Sequence, residues 1–184
     1  MEKQALRSLY KNLRQSLSKQ EFDNRQQQVF QGLTSFLQAH PRIKNIHSFI
    51  SIERFNEIQI EKFWTADFQF IVPKTDFANR NMSHYYVNEN LVLDKSSYGI
   101  LEPSAGDLAS IDAIDLVLVP LLAYDQNKMR VGYGKGFYDG FIAQLPPTCI
   151  TLGLSLFPPE KNAIQGIEAH DRALDFVLSP SGLI

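Results

Sequence analysis

Cysteine is almost absent. Cys149 is the only one in 184 residues, so no disulfide can form within the chain, and a reducing compartment is the simplest setting. It sits beside Thr148, Ile150 and Leu152, the ordinary surroundings of a buried structural cysteine. A nucleophilic thiol would need an activating cation or base nearby. Long hydrophobic runs are missing too. No stretch approaches the roughly 20 apolar residues that span a bilayer. Met1-Glu2-Lys3-Gln4 leads into a charged amphipathic segment, not into a secretory hydrophobic core. A cytoplasmic protein without a membrane partner is therefore expected. There is no excess of one charge: the formal net charge is −2, which makes no field to gather nucleic acid, and no nucleic-acid recognition motif accompanies it. His40, His47 and His84 show no metal-like spacing. Ser51 and Ser155 lack the context of a nucleophile elbow.

What is present is ordinary in bulk and specific in one place. Apolar residues make up 44% and charged residues 21%, as in a globular protein. The length suits one domain spanning residues 1–184. Leu6, Leu9, Leu13 and Leu17 recur at helical spacing and form an apolar stripe. Lys3, Arg7, Lys11 and Arg14 form a second, basic stripe, which by itself reads as a solvated helix face. Ser18 to Glu21 has the form of a capping box and starts a second helix that carries Val29, Leu33, Phe36 and Leu37. His40-Pro41 ends it, because the residue before proline avoids the helical region.

Beyond residue 41 short apolar runs alternate with helical patterns. Strands are expected at 46–52, at 68–72 with Pro73 as a stop, at 84–87, 149–156 and 176–178. Residues 114–119 are apolar and β-branched throughout, as in a strand buried on both faces. Helices are expected at 58–64 and 137–145. Residues 94–111, rich in Ser, Gly, Pro and Asp, read as a long surface connection. Strands alternating with helices imply an α/β layer architecture with a largely parallel sheet.

The specific feature is Arg130-Val131-Gly132-Tyr133-Gly134-Lys135-Gly136-Phe137-Tyr138-Asp139. It follows a buried strand and a polar turn and runs into a helix. Strand, glycine loop and helix N-terminus make a phosphate-binding arrangement. Glycines let backbone N–H groups converge on an anion without Cβ obstruction, and the helix dipole contributes about 0.3–1 kcal/mol. Arg130 and Lys135 add charge, Arg as a fork and Lys as a mobile point. The spacing is neither a Walker A loop nor the dinucleotide fingerprint.

The segment Gly132 to Asp139 resembles the signature of the 5-formyltetrahydrofolate cyclo-ligases, also called methenyltetrahydrofolate synthetases. The order of other features is similar to that family: Lys3 and Arg7 at the start, the strand at 46–52 followed by Glu57-Ile58, Gly99-Ile100-Leu101-Glu102-Pro103, the strand leading to Asp125, and His170-Asp171 near the end. The resemblance implies a three-layer α/β/α sandwich with a mainly parallel sheet, preceded by N-terminal helices. It implies closure of 5-formyltetrahydrofolate to 5,10-methenyltetrahydrofolate, driven by ATP with Mg²⁺, and release of ADP and phosphate. The folate is the only partner expected, and the protein is expected to act as a monomer. Lys3, Arg7, Arg130, Val131, Gly132, Tyr133, Gly134, Lys135, Gly136, Phe137 and Tyr138 would bind ATP, with Lys135 and Arg130 catalytic. Ile50, Glu57, Tyr133 and Tyr138 would contact the folate, and Asp139 and Asp171 would hold the metal. Glu53 competes with Glu57 for the pterin, and Gln59-Ile60 follows where the family commonly carries Thr. Lys11 and Arg14 are left as surface. A phosphate-binding module without turnover and a kinase-like enzyme acting on another small acid or amide are the competing classes.

Overall fold

The computed structural model describes residues 1–79, 81–96, 99–168 and 171–184. Two helices open the chain, α1 (Lys3–Ser16) and α2 (Lys19–Ala39). The capping box forms: the Glu21 N–H donates to Ser18 Oγ at 3.3 Å, and the Ser18 N–H donates to Glu21 Oε2 at 2.9 Å. Together they satisfy two of the N–H groups a helix start leaves open. The buried face of α1 is not the leucine stripe. Leu6, Tyr10 and Arg14 are buried, whereas Leu9 and Leu13 are exposed. The basic stripe adjoins this buried face and is drawn against the glycine loop.

The strands follow as β1 (Asn45–His47), β2 (Gln69–Asp76), β3 (Asn81–Tyr86), β4 (Val92–Lys95), β5 (Leu101–Ala105), β6 (Leu116–Pro120), β7 (Ala123–Tyr124), β8 (Arg130–Val131), β9 (Ile150–Leu154), β10 (Phe176–Ser179) and β11 (Gly182–Leu183). A third helix, α3 (Phe137–Ile142), lies between β8 and β9. Seven strands form one sheet in the order β11-β10-β9-β6-β1-β2-β3. The five inner strands are parallel, and β3 and β11 are antiparallel edges. Strand β6 shows why the sheet is covered on both faces. Leu116 and Leu118 pack with α1 and α2, while Val117 and Val119 pack with Phe141 of α3, the alternation that a pleated strand dictates. The expected α/β/α layering is observed, with a single short helix as its thinner layer.

Several elements differ from expectation for visible reasons. The strand expected at 46–52 stops at His47, and the following backbone turns away to serve carboxylates: the Ser51 N–H donates to Glu61 and the Ile52 N–H to Glu57 Oε2. Pro73 does not stop β2. It lies opposite His84 and beyond Ile71, where pairing with β1 ends, so no ladder bond is lost. The helix expected at 58–64 is a 3-10 turn, Ile60–Phe63. Helix α3 stops at Ile142, with Gly140 inside it and Pro146-Pro147 ahead, both unfavourable to helix. The stretch 94–111 is not a plain surface connection, because it carries most of the β4–β5 hairpin, packed along β2 through Thr75 Oγ1, which donates to Glu102 at 3.2 Å. Cys149 is buried, and burial pushes its thiol up to about 12, an inert structural group. Among the described residues no helix is long and apolar enough to cross a membrane.

Candidate active site

Chain order reverses between β1 and β6, the position at which open α/β sheets bind ligands beyond the carboxyl ends of their strands. A cavity of ≈ 380 Å³ lies there. Phe49 and Ile50 reach it from the end of β1, and Pro120 from the end of β6. The 130–139 segment covers one side, α1 contributes Lys3, Arg7 and Lys11, and the β4–β5 hairpin contributes Glu102. A polar hollow of ≈ 740 Å³ adjoins it and shares Lys3, Arg7, Lys135, Asp139 and Asp171. The two form one cleft with an apolar end and a charged end.

The charged end is built by short-range turn chemistry and by long-range pairing. Buried Asp125 cages the turn after β7: its Oδ1 accepts from the N–H groups of Asn127 at 2.9 Å and Met129 at 3.1 Å, and its Oδ2 from Ile164 N–H at 2.9 Å. That turn delivers Arg130 and the glycines. Gly134 and Gly136 have φ of 84° and 74°, the left-handed region that favours glycine. Arg7 lies along the loop and donates from Nε to the Gly132 carbonyl at 3.1 Å. A Cβ at Gly134 would stand 3.0 Å from Arg7 Cζ, whereas one at Gly136 would meet nothing within 4 Å. Gly134→Ala therefore displaces Arg7 as well as straining the backbone, and Gly136→Ala only strains it. We expect the first to weaken ATP binding by about tenfold more than the second, the equivalent of ~1.4 kcal/mol, in a titration with a fluorescent ATP analogue. Equal losses would show that the Arg7 contact does not matter.

Lys135 is exposed at the loop tip. Arg130 is buried and already engaged: one terminal nitrogen donates to the Arg172 carbonyl at 2.7 Å and the other pairs with Asp139. Lys3 pairs with Asp171 across 168 positions of sequence. Burial pulls the Arg130 guanidinium pKa down, and Asp139 and Asp171 both oppose that pull, so the two carboxylates flank one cation. Among the described residues no three His, Cys, Asp or Glu side chains gather as a metal cluster. Two carboxylates beside this polar hollow nevertheless suit Mg²⁺, which completes its shell with phosphate oxygens and water; they do not suit a structural zinc site.

The apolar end holds a buried carboxylate. Glu57 is 4% exposed. Burial raises its pKa, opposed by hydrogen bonding to the Tyr133 hydroxyl, by the Arg14 charge and by the Ile52 N–H. Tyr133 stacks on Phe55 at 5.3 Å, and the Lys11 ammonium lies 5.8 Å and 5.7 Å from the two ring centroids. Among the described residues the buried Tyr138 hydroxyl oxygen has no hydrogen-bond partner, beside a cavity that the same residue lines.

The structure brings Lys3, Arg7, Ile50, Glu57, Arg130, Gly132, Tyr133, Gly134, Lys135, Gly136, Phe137, Tyr138, Asp139 and Asp171 around this cleft. Val131 is buried and packs in the core beneath the loop rather than lining it. Glu53 is exposed and does not line the cavity, unlike Glu57. His170 lies outside the described residues. Lys11 and Arg14 are not surface cations: Lys11 lines the cavity, and Arg14 is 2% exposed. The signal for both was their helical register with Lys3 and Arg7, which the leucine spacing obscured. Phe49 and Phe55 had no sequence signal of their own, and Glu102 was known only as part of the Gly99-Ile100-Leu101-Glu102-Pro103 segment, without a role.

The 5-formyltetrahydrofolate cyclo-ligase family model matches residues 1–154. A 5-formyltetrahydrofolate cyclo-ligase of Mycoplasma pneumoniae is 28% identical over 145 residues, covering 79% of this chain and 79% of its own length. The mitochondrial 5-formyltetrahydrofolate cyclo-ligase of Arabidopsis thaliana is 26% identical over 77% of this chain, and the match spans 61% of that longer protein, less than two thirds of it. Among solved structures, a 5,10-methenyltetrahydrofolate synthetase from Mycoplasma pneumoniae superposes with a TM-score of 0.78 at 23% identity, over 98% of this chain and 99% of that one. The Aquifex aeolicus 5,10-methenyltetrahydrofolate synthetase gives the same score at 22% identity, over 100% of this chain and 92% of that one. At these identities the structures speak for the fold.

Proposed function

The chain belongs to the 5-formyltetrahydrofolate cyclo-ligase family, a family of ligases, and from that premise we propose that it closes 5-formyltetrahydrofolate to 5,10-methenyltetrahydrofolate at the expense of ATP and with Mg²⁺. The observation that carries the reading is the two-ended cleft. Its apolar end, with Glu57 at its wall, suits a pterin, and its cationic end suits a triphosphate.

The formyl oxygen is a poor leaving group. In the proposed reaction that oxygen takes the γ-phosphoryl and ADP leaves. The neighbouring substrate nitrogen then attacks the formyl carbon and loses its proton as the C–N bond forms; the C–O bond breaks, and the oxygen departs as phosphate, which can carry that proton away. The protein's task is alignment and charge neutralisation. Lys135, mobile and exposed, moves with the transferring phosphoryl and neutralises its charge. Arg7 and Lys3 hold the nucleotide end. Arg130 is a partner of Asp139 first, and a source of positive field at the phosphates second. Glu57, an acceptor when ionised, takes hydrogen bonds from pterin N–H groups and fixes the ring with its formyl group towards the loop. Tyr138, whose hydroxyl finds no partner among the described residues, can offer it to the substrate. Asp139 and Asp171 are the residues that would hold Mg²⁺, which when bound neutralises phosphate oxygens and orients them.

The deciding measurement is absorbance in the methenyl-folate band after mixing protein, Mg-ATP and 5-formyltetrahydrofolate. A rise that needs both ATP and Mg²⁺ is expected. A folded protein that binds ATP without producing the band would remove the ring-closure reading and leave a phosphate site acting on another substrate or on none.

A further inference from the structure

Arg14 is the cation that sequence leaves unexplained. It is 2% exposed, yet it belongs to no ion pair among the described residues that joins it directly to a carboxylate. Its Nη1 donates to the Tyr133 hydroxyl oxygen at 2.9 Å, and its Nη2 to the Leu121 carbonyl at 2.6 Å. The Tyr133 hydroxyl reaches towards Glu57 in turn, and its hydrogen bonding favours the ionised carboxylate. Asn56, next to Glu57, donates from Nδ2 to the Arg14 carbonyl at 3.0 Å. A buried guanidinium, a phenol and a buried carboxylate thus stand in line, running from α1 through the glycine loop to the wall of the apolar cavity.

From this geometry we infer that Arg14 is a positioning residue of the folate pocket: through the Tyr133 hydroxyl it holds the Glu57 carboxylate ionised and fixed towards the bound pterin. The inference rests on the reading of Glu57 as the pterin contact. In such a chain each hydrogen bond polarises the next. The guanidinium N–H pulls on the phenol oxygen, which strengthens the phenol as a donor to the carboxylate. Burial works the other way on Glu57 and favours its neutral form. The groups acting on Glu57 are Arg14 and Tyr133, which favour the charge, and Glu61, which disfavours it; Tyr138 faces it from α3. Arg14 is the only full positive charge among them. A neutral Glu57 would turn one oxygen from acceptor to donor and lose a pterin N–H.

The inference also explains the placement of Tyr133. A glycine loop that only cradled phosphate would have no need of a half-buried phenol between its first two glycines. Here that phenol ties the loop to the folate wall, so that the two ends of the cleft share one fixed group.

The test compares Arg14→Met, Arg14→Lys and Tyr133→Phe with the unaltered protein. Arg14→Met and Tyr133→Phe are expected to raise the KM for 5-formyltetrahydrofolate by about tenfold while moving the KM for ATP much less. The acid limb of kcat/KM should move to higher pH in both, because Arg14→Met removes the positive charge and Tyr133→Phe the hydrogen bonding that favour the ionised Glu57. Arg14→Lys should recover part of the shift, and the Arg14→Met/Tyr133→Phe double variant should be little worse than either single one, since both break the same chain. If Arg14→Met does not fold, Arg14→Lys and Tyr133→Phe still carry the comparison. Equal losses towards both substrates, with the acid limb unmoved, would reduce Arg14 to a packing residue. The carboxyl ¹³C titration of Glu57 in the ligand-free protein reads the chain without turnover. Its midpoint should rise in Tyr133→Phe, and an unmoved midpoint would overturn the inference. A raised midpoint in a protein that makes no methenyl product would uphold the charge chain and sink the ring-closure reading alone.

Discussion

Lys135→Ala is expected to lower the turnover of 5-formyltetrahydrofolate by about a hundredfold to a thousandfold, the loss that follows removal of one donor aimed at developing charge. The fold survives it, because Lys135 is exposed and an exposed substitution away from packing changes stability by about 0.5 kcal/mol or less. Among the described residues, the other cations beside the loop are already engaged. Arg130 uses both terminal nitrogens on Asp139 and the Arg172 carbonyl, Lys3 is paired with Asp171, and Arg7 is bound to the Gly132 carbonyl. The effect should fall on kcat more than on the KM for the folate, because the lysine meets charge that grows only as the phosphoryl moves. Single-turnover production of the methenyl band in saturating Mg-ATP separates the two. Unchanged kcat would remove Lys135 from the chemistry and leave it a surface residue.

If Asp139 holds the proposed metal, Asp139→Asn is expected to raise the magnesium needed for half-maximal activity by at least about tenfold, on the scale by which changes around bound metals weaken affinity. The substitution keeps the shape of the side chain and removes its charge. It also unpairs Arg130, whose side chain is 6% exposed. The penalty should stay below the ~3–5 kcal/mol of breaking a wholly buried pair, because the Asp139 side chain keeps 25% of its exposure and water reaches it. Thermal melting without metal measures that part, and a magnesium titration of the folded variant measures the other. A lower melting temperature with an unchanged magnesium titration would make Asp139 a structural counter-ion of Arg130 and leave the metal to other groups.

The two variants probe different kinds of information. Lys135 is legible from sequence, since a lysine between glycines 134 and 136 after a buried strand already points to an anion. The shared neighbourhood of Asp139 and Asp171 is not legible without a family resemblance, because 32 positions separate them and no local pattern links them. The family order favoured Glu57, followed by Ile58, over Glu53, but residue type alone did not separate them. What separates them is that residues 48–52 leave the sheet, so that the Ile52 N–H meets Glu57 while Glu53 faces solvent. Arg14 was misread because an arginine at helical spacing with other cations normally means a wet face. Its neighbours Leu6 and Tyr10 on the same helix are buried, and the glycine loop supplies the Tyr133 hydroxyl that makes a buried guanidinium affordable.

The sequence by itself determined the layered α/β class, the doubly covered strand β6, the capped start of α2 and the glycine loop with its lysine. Each of these rests on forces that act between residues close in the chain: alternation of side chains along a strand, a cap bonded three residues on, glycine's freedom at positive φ. The tertiary structure alone decided where β1 ends, which glutamate enters the cavity, that Lys3 reaches Asp171 and that Arg14 turns inward. Those outcomes depend on which distant groups can satisfy a buried charge or an open backbone N–H, and that is settled only once α1, the β1 loop and the segment after β9 lie against one another.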